Sequence, residues 1–252
     1  MCLLSHHTGI CYTPVIMCGA YGYSVKAERE IYDRFEIENT LDSFKPHWNI
    51  HIMTMNPVIY MTADGVQIKY MYWTFLPKWA KKKRLDYSTF NAKEENLMKG
   101  MFKDAVPGQR CIIPVTHFLE PDRVHYPKPQ PAPWYLFKLK DEKIFGLAGL
   151  YNVWTDPETN KELYTYTIIT TVPNADVGKI HNREPAILPR NKEQEWLNPD
   201  VTEAEHILPM LKPYPPGKMD YWRVPDEAKN PRNDYPEVIE PYKAQGQGSL
   251  LN

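Results

Sequence analysis

Short runs of β-branched and aromatic residues at 58–61, 66–73, 110–115, 134–140, 144–154 and 163–172 most constrain this chain, because runs of that length and make-up fit strands. Asp-Gly, proline or charged residues bound them. Helical periodicity is strongest over 24–41, where Val25, Ala27, Ile31, Phe35 and Leu41 recur among charges. Weaker helical patterns cover 91–105, 174–181, 191–197 and 202–211, the last two opened by Asn191 and Thr202 as N-caps. Strands and helices do not alternate regularly. The expectation is therefore a single α+β domain with a mainly antiparallel curved sheet or barrel-like β core and peripheral helices, rather than a doubly wound fold. Of the 24 prolines, 13 gather at 121–133, 209–225 and 231–241, which read as extended ordered loops or a wrapping tail.

With 252 residues the chain can bury a core without disulfides or metals. Its formal net charge of -1 provides no bulk attraction for a polyanion, so nucleic acid would have to be held by a local patch. The four cysteines, Cys2, Cys11, Cys18 and Cys111, form no C-x-x-C pair, which argues for a reducing compartment and against a structural zinc site. His6, His7, His47 and His51 lack carboxylate or cysteine neighbours at metal-ligand spacing. No metal and no cofactor are expected. No run is long and apolar enough to span a membrane, and the first residues make a poor signal peptide, so a cytoplasmic protein is expected, or a nuclear one in a cell with a nucleus. Dinucleotide, P-loop, nucleophile-elbow and zinc-protease patterns are missing.

The chemistry-bearing candidates lie far apart. Cys18 follows Met17 and precedes Gly19, so translation from Met17 with removal of that methionine would leave an N-terminal cysteine whose thiol and α-amine sit on neighbouring carbons. Such a pair condenses with aldehydes to a thiazolidine; a cysteine read without that context is a small buried hydrophobe. Glu120 ends the strand-like apolar run 111–119, where desolvation would raise its pKa as a general acid requires; the alternative is a solvated residue opening the proline-rich loop. His181 ends a short helical pattern, placed either to shuttle protons near neutral pH or to serve as a structural histidine. Asn91 reads as a helix N-cap or as a group that orients a substrate. The densest positive cluster, Lys78-Trp79-Ala80-Lys81-Lys82-Lys83-Arg84, follows Tyr72-Trp73-Thr74-Phe75, and cations interleaved with aromatic rings suit a single-stranded nucleic acid; a solvated turn is the plainer reading.

Taken in order, Met17-Cys18-Gly19, Asn91-Ala92-Lys93-Glu94-Glu95, Arg110-Cys111-Ile112-Ile113-Pro114, Phe118-Leu119-Glu120, Asn174 and Ile180-His181-Asn182-Arg183-Glu184-Pro185 resemble the signature of the SOS response-associated peptidase (SRAP) family. The resemblance runs from Met17 to Tyr242 and includes the closing Arg232-Asn233-Asp234 segment. It implies a protein, expected as a monomer, that binds single-stranded DNA and covalently shields abasic sites. On that resemblance Cys18 is the nucleophile, Asn91 an active-site amide, Glu120 the acid/base carboxylate and His181 the active-site imidazole. Lys93 and Arg183 fall on phosphate-contacting positions, Trp73 falls in a segment packed against bases, and Lys81, Lys82 and Arg84 extend the DNA contact. Residues 1–17 then form an extension absent from the active form, 18–243 the domain and 244–252 a tail.

Three positions depart from the family pattern. Ala20 and Lys93 stand where arginines are usual, and Glu184 stands where methionine is usual. Lysine keeps the charge but not the bidentate fork, so weaker phosphate clamping is expected. Glu184 is expected to favour charged His181 if it points inward. Two other activities remain open: a cysteine-dependent autopeptidase that removes the residues before Cys18, and a non-covalent single-strand binder.

Overall fold

The computed structural model describes residues 19–244. Its strands are β1 (Ala20–Tyr23), β2 (His47–Ile50), β3 (Met55–Thr62), β4 (Gly65–Trp73), β5 (Asn91–Lys93), β6 (Arg110–Val115), β7 (His117–Pro121), β8 (Trp134–Leu139), β9 (Phe145–Thr155), β10 (Glu162–Thr171), β11 (Glu184–Pro185) and β12 (Met219–Arg223). β3, β4, β10, β9 and β6 pair cyclically, each with the next, and β6 returns to β3. The sheet therefore closes into a small barrel, antiparallel except where β4 meets β10. Closure hides the sheet edges and lets Ile59, Ile68, Met71, Ile112, Leu150 and Ile168 pack in one core. The single mostly β domain expected from the strand runs is the one observed.

A second, antiparallel sheet follows the order β12-β8-β7-β1-β2. Tyr21 of β1 joins it to the barrel, its ring 4.9 Å from Trp73, which stacks on Tyr166 at 6.1 Å. The Tyr21 and Tyr166 hydroxyls are 2.6 Å apart. The apolar run that ends at Glu120 is two strands rather than one. β6 belongs to the barrel and β7 to the second sheet, and the chain changes sheets at Thr116, whose backbone N–H donates to the Gly22 carbonyl at 2.8 Å.

The helices are shorter than the periodicity predicts. Over 24–41 only α1 (Arg29–Phe35) forms. Glu30 captures the N–H of Lys26 ahead of it, and Glu36 turns left-handed at φ 55° behind it. The pattern over 91–105 opens as strand β5 and continues as 3₁₀ turns at Glu94–Asn96 and Gly100–Phe102, with Gly100 at φ 60°. Asn91 is thus not an N-cap. The 174–181 pattern contains a single 3₁₀ turn, Val177–Lys179. α2 (Glu193–Leu197) and α3 (Ala204–Ile207) form, but their N-caps are Lys192 and Glu203 rather than Asn191 and Thr202.

Two polar anchors hold the periphery. The buried Arg110 guanidinium donates to the carbonyls of Trp196 at 2.6 Å, Val106 at 2.6 Å, Pro107 at 2.8 Å and Asn198 at 2.5 Å, tying α2 to the barrel. Burial lowers its pKa to about 10, which leaves it charged at neutral pH. The proline-rich tail wraps as its composition suggests. Asp234 accepts the N–H groups of Trp48 and Asn49, at 2.7 and 3.0 Å, and the Asn49 amide donates to the carbonyls of Ala228, Asn230 and Asn233.

His117, enclosed between the Trp48 carbonyl at 2.8 Å and the Thr116 hydroxyl at 2.9 Å, has its pKa lowered to about 4 by burial. His51 is lowered to about 4 for the same reason. The unfolded chain protonates these rings near the ordinary imidazole value and the folded chain resists, so their stabilisation is complete above pH 6.5 and is lost as pH falls through about 4. Thermal melts should show the midpoint dropping between pH 7 and pH 4.5. His117→Gln, which does not titrate, should flatten the drop. An identical slope in wild type and variant would show that other groups set the acid limit.

Candidate functional site

β7 presents Glu120 between β1 and β8, with Leu119 opposite Ala20 and Glu120 opposite Tyr135. Its side chain is fully enclosed. Just past β7, the N–H groups of Arg123 and Val124 donate to the Ile180 carbonyl at 2.8 and 3.2 Å, which binds the Glu120 strand to the turn carrying His181. That turn is built locally. Asn174 Oδ1 accepts the N–H groups of Asp176 and Val177, both at 2.9 Å, and the Val177 carbonyl accepts the N–H of His181 at 2.8 Å. Two distant segments thus bring His181 Nδ1 to 3.8 Å from Glu120 Oε2, with both side chains buried. β1 begins opposite this strand end and Gly19, immediately before it, is buried. Cys18 lies outside the described residues.

His181 Nδ1 is 3.2 Å from the Arg183 carbonyl and 3.3 Å from the Arg183 N–H, so the Arg183 backbone anchors the ring in either tautomer. Nε2 has no hydrogen-bond partner among the described residues. Burial holds the imidazole below its ordinary pKa; the Arg183 carbonyl opposes that shift, whereas the charges of Arg123, Lys128 and Arg183 reinforce it. The Glu120 carboxylate would pull upward at 3.8 Å, but the net direction is downward and the ring is neutral near pH 7. Glu184 does not favour a charged His181 as expected from the sequence. Its buried carboxylate instead accepts the N–H groups of Asn174 at 2.8 Å and Tyr214 at 2.7 Å.

Asn91 arrives by an unusual route. β4 runs parallel to β10 as far as Trp73, opposite Tyr166, and β5 resumes alongside the same strand with Asn91 opposite Ile168. Residues 74–90 are an excursion between two stretches lying on one neighbour. Asn91 is 7% exposed, and neither its Nδ2 nor its Oδ1 has a partner among the described residues. A buried amide left unsatisfied costs stability and calls for an explanation, of which a bound ligand that pairs with it is one. Thr170 Oγ1, Thr171 Oγ1 and Arg183 Nε are likewise buried and unpartnered, and all lie near this end of β10.

The DNA-contact candidates fall into distinct settings. Lys93 is exposed on β5. Arg183 is nearly buried, its guanidinium forked onto Glu95 at 3.2 and 2.9 Å and donating to the Thr170 carbonyl at 2.5 Å. Although burial opposes it, the hydrogen bond from its own backbone and the Arg183 guanidinium hold the Glu95 carboxyl below its ordinary value. Any phosphate drawn to Arg183 would have to compete with Glu95 for it. Lys81, Lys82 and Arg84 are exposed on the 74–90 excursion and form no ion pair among the described residues. The excursion is braced by Leu76, Ala80 and Trp154, with Trp154 Nε1 donating to the Ala80 carbonyl at 2.7 Å.

Trp73 needs correction as a base contact. Its side chain is 0% exposed and Nε1 donates to the Phe90 carbonyl at 2.8 Å, so no ring face is open to a base. It is a pillar behind the site that aligns the start of β5. Sequence reasoning also passed over Arg123 and Lys128 in the proline-rich loop, whose charges act on His181, and Glu95 as the partner of Arg183. Only their chain proximity to Glu120 and Asn91 could have flagged them. Among the described residues no group of three or more histidine, cysteine, aspartate or glutamate side chains could hold a metal ion, and no helix is long and apolar enough to cross a membrane.

Known proteins share this sequence and fold. The family model described as SOS response associated peptidase (SRAP) matches residues 17–231. The abasic site processing protein YoqW of Bacillus subtilis (strain 168) is 34% identical over 227 residues, spanning 89% of this chain and 99% of that protein. The abasic site processing protein HMCES of Xenopus tropicalis is 26% identical over 226 residues, spanning 79% of this chain and 67% of its own. A crystal structure of a protein from Bacteroides thetaiotaomicron superposes with a TM-score of 0.75 at 25% identity, covering 90% of this chain and 100% of that one.

Proposed function

Because the chain belongs to the SOS response associated peptidase (SRAP) family, whose relatives above are abasic site processing proteins, we propose that it captures abasic sites in single-stranded DNA through an N-terminal Cys18. The observation that carries this reading is the buried Glu120–His181 pair, 3.8 Å apart, beside the strand end where the chain following Cys18 enters β1. The unsatisfied Asn91 amide supports it further, as a group that lacks a partner until a sugar is bound.

The chemistry follows from those groups. An abasic deoxyribose is mostly a closed hemiacetal, and opening it requires a proton moved from the anomeric hydroxyl to the ring oxygen, a task for Glu120 and neutral His181 acting together. The Cys18 α-amine adds to the exposed aldehyde carbon, and loss of the carbinolamine oxygen as water leaves an imine. The Cys18 sulfur then bonds to the same carbon while the imine nitrogen takes up the proton, closing a thiazolidine. Asn91 would hold the opened sugar or the Cys18 backbone, lowering the entropic cost of bringing two nucleophiles to one carbon. Lys93, Arg183 and the Lys81, Lys82 and Arg84 cluster would hold phosphates. The product is a protein–DNA crosslink rather than a released molecule.

Kinetics separate chemistry from binding. Glu120→Gln or His181→Ala should slow adduct formation about tenfold, less than a lone acid–base group usually contributes because each leaves the other as a proton carrier. Affinity for intact single strands should not change. Arg183→Ala should do the reverse, weakening binding at every sequence and lowering the salt dependence by about one phosphate contact. Adduct formation timed on denaturing gels, with binding measured across a salt series, decides the matter. Equal losses of affinity in Glu120→Gln and Arg183→Ala would mean the roles are misassigned.

A further inference from the structure

We propose that Glu184 is a positioning residue for the site: its buried carboxylate ties the turn that sets His181 to the 212–217 segment, so that His181 is held in register with Glu120 only while both amides are clamped. The inference rests on the reading of His181 as a proton carrier in aldehyde capture. Glu184 is 0% exposed on β11, opposite Thr171 of β10. Oε2 accepts the Asn174 N–H at 2.8 Å and Oε1 the Tyr214 N–H at 2.7 Å, one donor for each oxygen. Asn174 closes the frame: its Nδ2 donates to the Tyr214 carbonyl at 3.0 Å, and its Oδ1 caps the turn through the Asp176 and Val177 N–H groups. The Val177 carbonyl then receives the His181 N–H at 2.8 Å. The path from the carboxylate to the imidazole thus runs through hydrogen bonds and one short turn.

No step of aldehyde capture employs Glu184 directly, and a buried carboxylate is an expensive way to hold a loop unless the loop matters. The charged form is the one that accepts from two amides. Burial nevertheless raises its pKa to about 7, against the pull of those two N–H groups. Among the described residues the charged group acting on it is Asp176, which raises it further and is itself engaged by the Gly217 N–H at 2.5 Å and by Lys179 Nζ at 3.6 Å. As pH falls through neutrality the carboxylate takes up a proton, and its hydroxyl oxygen becomes a poor acceptor for one amide. The clamp then loosens.

The test uses full-domain protein freed at Cys18, with Glu184→Met, which keeps length but offers no acceptor, and Glu184→Gln, which keeps one acceptor and sets its amide against the other N–H. Glu184→Met should capture an abasic site about tenfold more slowly at pH 8, with unchanged affinity for intact single strands. Wild-type rate should fall as pH drops through 7, and both variants should lack that inflection. Glu184→Gln should lie between wild type and Glu184→Met, and it carries the test if Glu184→Met does not fold. In parallel, the His181 ring resonances should shift in both variants. Unmoved His181 resonances, or wild-type rates in both variants from pH 5.5 to 8.5, would overturn the proposal. If wild type forms no adduct but the His181 resonances move, the positioning stands and the capture chemistry falls.

Discussion

On the proposed route, replacing Cys18 by Ala should abolish the heat-stable adduct with single-stranded DNA containing an abasic site and leave reversible binding in place. The physical reason is that an imine from the α-amine alone is hydrolysed, whereas closure by sulfur removes the imine and traps the sugar. Loss should exceed about 100-fold in adduct surviving heat, since uncatalysed imines revert while a covalent nucleophile converts one hard step into two easier ones. The same argument makes the nitrogen decisive. Protein that retains residues before Cys18 holds that nitrogen as an amide, which is not nucleophilic, and its thiol can form only a reversible hemithioacetal. Intact mass read alongside the denaturing gel covers each case. Cleavage before Cys18 in wild type but not in Glu120→Gln would favour autoprocessing, which would be a self-directed form of the peptidase activity in the family's description. Undiminished adduct from Cys18→Ala, or permanent adduct from protein still carrying the extension, would refute the thiazolidine route.

The fold was legible where it depends on local pattern. The run 110–115 is β6 residue for residue, and 66–73 and 163–172 match β4 and β10 to within a residue at either end. A barrel-like core was among the expectations, but the pairing that closes it was not legible, because it rests on parallel pairing of β10 with β4 and β5, which joins residues more than 70 positions apart and leaves no mark on either strand. Helix length failed for the opposite reason. Periodicity over 24–41 is real, but Glu36 in the left-handed region and the Glu30 side chain on the Lys26 N–H end the helix from both sides.

The candidate site residues were named mainly through resemblance. Residue types alone left Glu120 between a buried acid and a solvated loop residue, and only pairing across β1, β7 and β8 encloses it. Trp73 shows the limit of carrying a role over by alignment. A tryptophan in a recognition segment can stack on a base or hold the segment up, and the hydrogen bond to Phe90 decides for the second. Arg183 shows another limit: its fork is already filled by Glu95, a contact made across the β5–β10–β11 layer rather than along the chain.

Asn91→Leu should make the protein more stable and less active. Leucine nearly matches asparagine in shape, and the amide it replaces is 7% exposed with neither polar atom partnered among the described residues. Leaving a buried polar atom unsatisfied costs roughly 1–3 kcal/mol, so exchanging the amide for an apolar group should raise stability by about 1 kcal/mol after allowance for imperfect packing. The same exchange removes the donor and acceptor placed to hold the sugar or the Cys18 backbone, and losing one preorganised hydrogen-bonding group costs on the order of 100-fold in rate. Binding of intact single strands should hold, because Lys93 on the same strand stays exposed and charged. A denaturant titration and a crosslinking time course on the same preparation distinguish this from a packing role. If Asn91 were only structural, stability and rate would fall together; if it were idle, the rate would match wild type. A gain in stability coupled to a loss of capture is the outcome that a site held open for substrate requires, because natural proteins retain such a cost where the bound state relieves it.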